Sequence, residues 1–183
     1  INHYIITNEK KLASDYLTMF AKLIRNILEN SKNTSISLKS ELETLKLYLK
    51  LESVRLENKF DFIIQHPEIV DLDFISIPPL IIQPFVENAI WHGIQEKDGQ
   101  GMIEISVHQL SESEICITIT DNGIGRKAAA LKKTSEKDHK SYGIDITIER
   151  VQFLNPLNKI VITDLYDQAS SSTGTKVELF IHC

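Results

Sequence analysis

Glu87 and Asn88 set a carboxylate beside a carboxamide in the segment FVENAIWHG, residues 85–93, and Trp91 and His92 follow at once. A carboxylate can accept a proton, and a carboxamide oxygen is a hard ligand suited to a divalent cation. At about 100° per residue, Ile82, Phe85, Val86, Ala89, Ile90 and Gly93 share one arc of a helix over 80–95. Gln83, Glu87, Asn88, Trp91, His92 and Gln95 share the other, with Asn88 and His92 one turn apart. Taken alone, this is the pattern of a half-buried helix with a solvated polar face. A Trp beside His and Asn, in place of Lys and Glu, is the feature that points to a ligand.

Three further segments carry the same kind of chemistry. DNGIG, residues 121–125, follows an alternating strand directly. An Asn-Gly hairpin turn there would need a second strand, but RKAAALKK is helix-prone, so the order is strand, glycine loop, helix. Glycines at Gly123 and Gly125 permit positive φ and close approach to the backbone, and Asp121 is an acceptor fit for an exocyclic amino group. Gly143 stands at the mouth of a helix, with Lys140 and Ser141 just before it. Such a mouth offers unpaired N–H groups to phosphate, although it is also simply how a helix starts after a loop. Gly174 and Thr175 open the last strand. No Gly-Lys-Ser/Thr phosphate loop occurs anywhere in the chain, which excludes a P-loop site.

These segments need elements to hold them. Leu12, Tyr16, Met19, Phe20, Leu23, Ile24 and Ile27 repeat at helical spacing, the polar stretch 29–37 breaks the pattern, and Leu38, Leu42, Leu45, Leu49 and Val54 resume it. Ser37 with Glu41 nearby is a capping arrangement for the second helix. The two helices form a hairpin that either covers one core or supplies half of a four-helix bundle built by two chains. From residue 60 the period becomes two. KFDFIIQH, GMIEISVHQL, EICITITD, KIVITDLY and GTKVELFIH read as strands, with Pro78 and Pro79 marking the start of the helix between the first two. GIDITIERVQFLN is an amphipathic helix. The fold class is α+β: a helical hairpin, then a mostly antiparallel sheet with helices on one face.

Composition sets the outer limits. The 183 residues allow one larger domain or a domain with an appendage, and shares of 42% hydrophobic and 25% charged are ordinary for a globular chain. A net charge of −5 argues against a direct nucleic-acid binder. No apolar run reaches the roughly 18 residues of a membrane span, and no signal peptide opens the chain. Cys116 and Cys183 form no ligand cluster, and a buried free thiol at Cys116 fits a reducing, cytoplasmic location. Ile1 falls inside a helical pattern, so the chain is expected to be a piece of a longer protein.

In this order the segments resemble the ATP-binding domain shared by histidine kinases, gyrase-type topoisomerases, chaperone ATPases and mismatch-repair ATPases. ELETLKLYLKLESVRLENKF, IPPLIIQPFVENAIWHGI, DNGIGR, GIDITIERV and GTKVELFI together resemble the LytS-like branch of sensor histidine kinases, over nearly all of the chain. The resemblance implies a helical hairpin over 1–58, belonging to the dimerisation region. It implies an ATP-binding sandwich of a mixed sheet and a helical layer over 59–183. It implies that Asn88 ligates Mg²⁺, that Glu87 orients or deprotonates the attacking group, and that His92 reaches the phosphates. Asp121 then accepts from the adenine amino group, Gly123 and Gly125 shape the adenine pocket, Gly143 brings N–H groups to phosphate, and Thr175 supports the adenine end. A lid would span Arg126 to Tyr142.

The implied reaction moves the γ-phosphoryl of ATP to a histidine and then to an aspartate of a response regulator, expected to be of the LytTR type. A homodimer through the N-terminal helices is expected, with membrane spans upstream. Three departures stand out. Trp91 replaces a usual Lys, with Lys140 as a substitute. The glycine pair is reduced to Gly143, with Ser141 in the other place and Ile146 where Asn is usual. The acceptor-histidine segment is absent, and His3, with no Pro before it, reads as an ordinary helix residue, which puts the acceptor upstream of Ile1. The alternative is a degenerate docking module that does not turn over ATP. A gyrase- or chaperone-like ATPase is disfavoured by the hairpin before the ATP domain and by the lack of a transducer domain after it.

Overall fold

A computed structural model of the chain describes residues 10–68, 70–132 and 142–182. Lys140, Ser141, His3 and much of the expected lid lie outside the described residues.

Two helices come first, α1 (Lys10–Asn30) and α2 (Leu38–Arg55). The Ser37 hydroxyl accepts from Ser40 N at 3.2 Å and starts α2 as anticipated, an arrangement typically worth about 1 kcal/mol. Glu41 does not complete a capping box, because it stands one position beyond the residue that can reach back. The hairpin is registered by polar side chains. Asn26 and Asn30 donate to the Thr44 hydroxyl at 3.4 Å, and the Ser40 hydroxyl donates to Asn30 Oδ1 at 3.3 Å.

The two helices bury different amounts. Leu38, Leu42, Leu45 and Leu49 of α2 join the main core. On α1, Leu12, Leu17, Phe20, Ile24 and Leu28 stay 41% to 57% exposed, an apolar stripe left open among the described residues.

Five strands form the main sheet: β2 (Phe60–Gln65), β4 (Gly101–Ser111), β5 (Glu114–Asp121), β6 (Lys159–Tyr166) and β7 (Ser172–His182), in the order β2-β4-β5-β7-β6. β2 runs parallel to β4, and every other pairing is antiparallel. A two-residue pair, β1 (Ile36–Ser37) with β3 (Ser76–Ile77), is too short to leave an alternating signal in the sequence. Ile103, Ile105, Val107, Ile115, Ile117, Ile119, Val177, Leu179 and Ile181 alternate along their strands and are all buried on one face.

That face is covered by helices. α3 (Gln83–Asn88) continues as a π-helical turn over Ala89–Ile94, and Ile82, Phe85, Val86, Ala89 and Ile90 fill the core from it. Helices α4 (Arg126–Lys132) and α5 (Tyr142–Leu154) complete the layer. The architecture is the α+β sandwich with a mixed, mostly antiparallel sheet that the sequence indicates.

Candidate functional site

Pro78 and Pro79 do not start α3. They belong to a turn in which Leu80 takes a left-handed φ of 61°, and the helix begins only at Gln83, with Pro84 in its first turn. Within α3 the Asn88 amide nitrogen donates to Pro84 O at 2.8 Å. The donor end of the carboxamide is thereby tied to the helix, and its oxygen is the end left for a cation. The following residues wind one residue per turn wider, and Gln95 N reaches back to Ile90 O at 2.8 Å. π-turns of this kind often mark functional sites.

The wide turn is seated on the loop after β5. Ile124 N donates to Gly93 O at 3.2 Å. A Cβ on Gly123 would overlap the backbone of Gly93, and one on Gly93 would stand 3.0 Å from Asp121 Oδ1. Gly123 therefore serves backbone-to-backbone packing. Gly125 has a φ of 76°, and Gly174 lies so close to Asp121 O that no side chain fits between them.

Asp121 is 6% exposed at the end of β5, facing Thr175 across the β5–β7 ladder. Its Oδ1 accepts from Gly123 N at 2.8 Å. Burial pushes its carboxyl up to about 6, against the pull of the Gly123 and Thr175 donors and the nearby Lys97 charge. A carboxyl held this way sits near the midpoint of its titration just below neutral pH.

One cavity of about 410 Å³ brings these groups together, a size that suits a small organic ligand. Asn88 of α3, His92 of the π-turn, Asp121 and Gly125 at the end of β5 and the loop after it, Arg126 at the start of α4, and Thr175 of β7 line it. Its apolar walls come from Phe85, Ile119, Ile144, Ile148, Ile162 and Val177. The sequence reading missed these walls, although Ile119 and Val177 were findable as inward positions of alternating strands. It also passed over Asp145 of α5, and took Arg126 only as the start of a lid. Nothing in the type or spacing of Asp145 marked it, while Arg126 directly follows the glycine loop.

Other expected residues are placed elsewhere. Glu87 is absent from the cavity wall and accepts from Gln83 Nε2 at 2.8 Å, and its charge bears on Tyr48 of α2. Gly123 lies behind the wall for the packing reason given. Gly143 is exposed, with nothing among the described residues beyond its chain neighbours and its own helix backbone within 4 Å of where its Cβ would be, and its carbonyl accepts from the Thr147 hydroxyl at 2.6 Å. Trp91 points away from the cavity to stack with Arg55 of α2. Among the described residues no cluster of three or more His, Cys, Asp or Glu side chains could hold a metal.

A family model described as "Histidine kinase" matches residues 1–60. Among curated relatives, the YwpD protein of Bacillus subtilis (strain 168) is 32% identical over 153 residues, covering 82% of this chain and 52% of that protein. The sensor histidine kinase YpdA of Escherichia coli (strain K12) is 33% identical over 73% of this chain and 23% of its own length. The sensor protein LytS of Staphylococcus haemolyticus (strain JCSC1435) is 31% identical over 66% and 20%. The chain thus spans about half the length of the first of these and about a fifth of the others. Among solved structures, the catalytic domain of histidine kinase ThkA superposes with a TM-score of 0.55 at 13% identity, over 81% of this chain and 95% of that one. ThkA in complex with the response regulator TrrA superposes with a TM-score of 0.52 at 16% identity, over 98% and 49%.

Proposed function

The chain belongs to the histidine kinase family, in its LytS-like branch, and from that premise we propose that it binds Mg-ATP in the cavity beneath α3 and serves phosphoryl transfer to a histidine. The observation that carries this reading is convergence. Three stretches far apart in sequence, at 88–92, 121–126 and 175, meet in one cavity.

The residues present fit such a ligand. Asp121, a buried acceptor backed by Thr175, suits an amino group on a flat base, and the isoleucine, valine and phenylalanine walls suit its faces. The Asn88 oxygen and the His92 ring suit the phosphate end. When bound, Mg²⁺ would neutralise phosphate charge, which with positioning supplies most of the catalysis in reactions of this class. The chain's own share is to orient the base at Asp121, to hold the metal at Asn88 and to exclude water with its apolar walls. Glu87, off the cavity wall and on the side of α2, has no part in gripping the nucleotide. Its role is at the acceptor, as the group that orients or takes a proton from the attacking nitrogen.

The region over 1–58 is the dimerisation hairpin on this reading, and that over 59–183 the ATP-binding part. The acceptor histidine lies upstream, Lys140 contributes at the phosphates, and the longer protein is anchored in a membrane by segments outside this chain. A response regulator of the LytTR type receives the phosphoryl group. That a related fold is known in complex with a response regulator supports such a partner. The docking-module alternative draws on Trp91, which stacks on Arg55 where a phosphate-binding Lys is usual.

Calorimetric titration with ATP, with and without Mg²⁺, tests the reading. Binding weakened by Asp121→Asn and made insensitive to Mg²⁺ by Asn88→Ala is the expected result. No binding at several times the usual cellular ATP concentration, with the protein folded, would move the assignment to docking.

A further inference from the structure

The turn that precedes α3 is held from two sides. Glu41, on α2 and 2% exposed, accepts from Leu80 N at 2.9 Å through Oε2 and from Ile82 N at 3.3 Å through Oε1. Ile82 is the cap residue just before α3, and its side chain makes no capping hydrogen bond. Arg150, on α5, donates from Nη1 to Pro79 O at 2.9 Å. Residues 79–82 are therefore a joint where α2, α3 and α5 meet.

A carboxylate that is fully desolvated stays ionised only when donors are aimed at it. Here burial pushes the Glu41 carboxyl above its ordinary range, against the pull of the backbone N–H donors of the turn and of the Arg150 charge. What the geometry shows is that both Glu41 oxygens accept from backbone N–H groups of the turn leading into α3, groups that would otherwise be buried without a partner. The cap that α3 lacks locally is supplied by a helix of the hairpin, 39 and 41 residues earlier in the chain.

We propose that Glu41 is a positioning residue of the nucleotide site, fixing Asn88 and His92 through the start of α3 and so tying the phosphate end of the cavity to the hairpin. The proposal rests on the Mg-ATP reading above. The two ends of the cavity are built differently. Asp121 and Thr175 lie on paired strands inside the sheet, whereas Asn88 rides on a short helix whose first turn is gripped by α2. A shift of α2 along its axis moves the phosphate end and leaves the base end in place. Misplacement of a binding group by an ångström is enough to cost a large factor in rate or affinity.

The test is calorimetry on the whole chain with adenosine, with ATP plus Mg²⁺ and with ATP plus a chelator, comparing the unaltered protein with Glu41→Gln. Expected is adenosine affinity within about twofold of the unaltered value, with the gain in ATP affinity on adding Mg²⁺ reduced about tenfold or more. An unchanged Mg²⁺ gain, or an equal loss for adenosine and Mg-ATP, overturns the proposal. If Glu41→Gln does not fold, Arg150→Gln loosens the same turn from the α5 side. It is expected to lower the Mg²⁺ gain while sparing adenosine, and a gain equal to that of the unaltered chain overturns the proposal. Absence of all binding by the unaltered, folded chain overturns the Mg-ATP reading itself and the positioning role with it.

Discussion

The Arg55 guanidinium lies 4.3 Å from the centroid of the Trp91 ring. The same guanidinium grips Glu52 with a fork of bonds, Nη2 to Oε2 at 2.6 Å and Nε to Oε1 at 3.1 Å. Arg55 belongs to α2 and Trp91 to the π-turn after α3, so the pair fastens the hairpin to the layer that carries the candidate site. Tyr48 completes the contact. Burial holds its hydroxyl well above the usual tyrosine range, and the nearby Glu52 and Glu87 charges add to that effect.

This placement gives a prediction for Trp91. Trp91→Lys restores the charge usual at that position but does not tighten ATP, because the side chain leaves the ring of α3 on the wrong side of the cavity. It removes a cation–π contact and ring packing together worth about 1–2 kcal/mol. Thermal unfolding should therefore drop by several degrees while the ATP dissociation constant stays level. A clear gain in affinity would contradict the placement of Trp91.

Gly123 offers a sharper test of how the site is built. A methyl group there meets the Gly93 backbone, which cannot move without unseating the π-turn. Gly123→Ala is expected to cost about 1–3 kcal/mol by overpacking, read by denaturant unfolding. Gly143→Ala, where the space is open, should change stability by less than about 1 kcal/mol. Equal effects at the two glycines would show that the close approach of Gly123 to Gly93 is wrong.

The pH dependence follows from Asp121. Its folded carboxyl titrates at about 6, above its value in the unfolded chain, chiefly because it is buried. The folded state thus holds the proton more tightly between the two values. Stability from this group is full below the unfolded value and is lost as pH rises through about 6, a loss on the order of 3 kcal/mol at most. Asp121→Asn should flatten the stability profile between about pH 4 and pH 6.5. Adenine-nucleotide affinity should move the opposite way, falling as pH drops below about 6, because the ionised carboxylate is the acceptor. A stability profile that Asp121→Asn leaves unaltered would rule out this assignment.

Glu87 separates binding from transfer. It accepts from Gln83 and stays off the cavity wall, so Glu87→Gln should keep ATP affinity within about twofold. In a protein that includes the acceptor histidine, the transfer rate should fall about a hundredfold, the usual scale for removing a general base. Parallel losses in affinity and rate would place Glu87 at the nucleotide instead.

The exposed stripe on α1 predicts self-association. Leu17, Phe20, Ile24 and Leu28 are each at least 41% exposed and lie on one helix. Phe20→Glu should shift a dimer to monomer in sedimentation at micromolar concentration, without lowering the unfolding temperature of the ATP-binding part. A monomeric unaltered chain would refute the dimer reading.

Much of this arrangement was open to reading along the chain. Ile103, Ile105 and Val107 alternate with polar neighbours, so the strand and its buried face follow from a period of two. Ser37 caps α2 because the donors it satisfies lie within three residues. Asp121 with its glycines was marked by the order strand, glycine loop, helix, whereas Thr175 after Gly174 is by itself an ordinary strand start and gained a role only through the resemblance. The π-turn was not marked, since hydrogen bonds over five residues leave the same apolar spacing for one turn and differ only in where Trp91 and His92 end up. The start of α3 was misplaced at Pro78 for a similar reason. Proline permits a first turn there, but the Leu80 backbone is set by Glu41, far earlier in the chain.

Periodicity, capping and turn chemistry act over a few residues, so the chain encodes the element types and a mostly antiparallel sheet with helices on one face, while the two-layer sandwich was implied by resemblance. Packing put Asn88 on the cavity while Glu87 and Trp91 face α2. Only the tertiary structure decided that Gly123 is kept for Gly93, and that Glu41 caps a helix not its own. Each of these is a contact between segments tens of residues apart, fixed when the apolar faces close on one core and every buried donor and acceptor must find a partner.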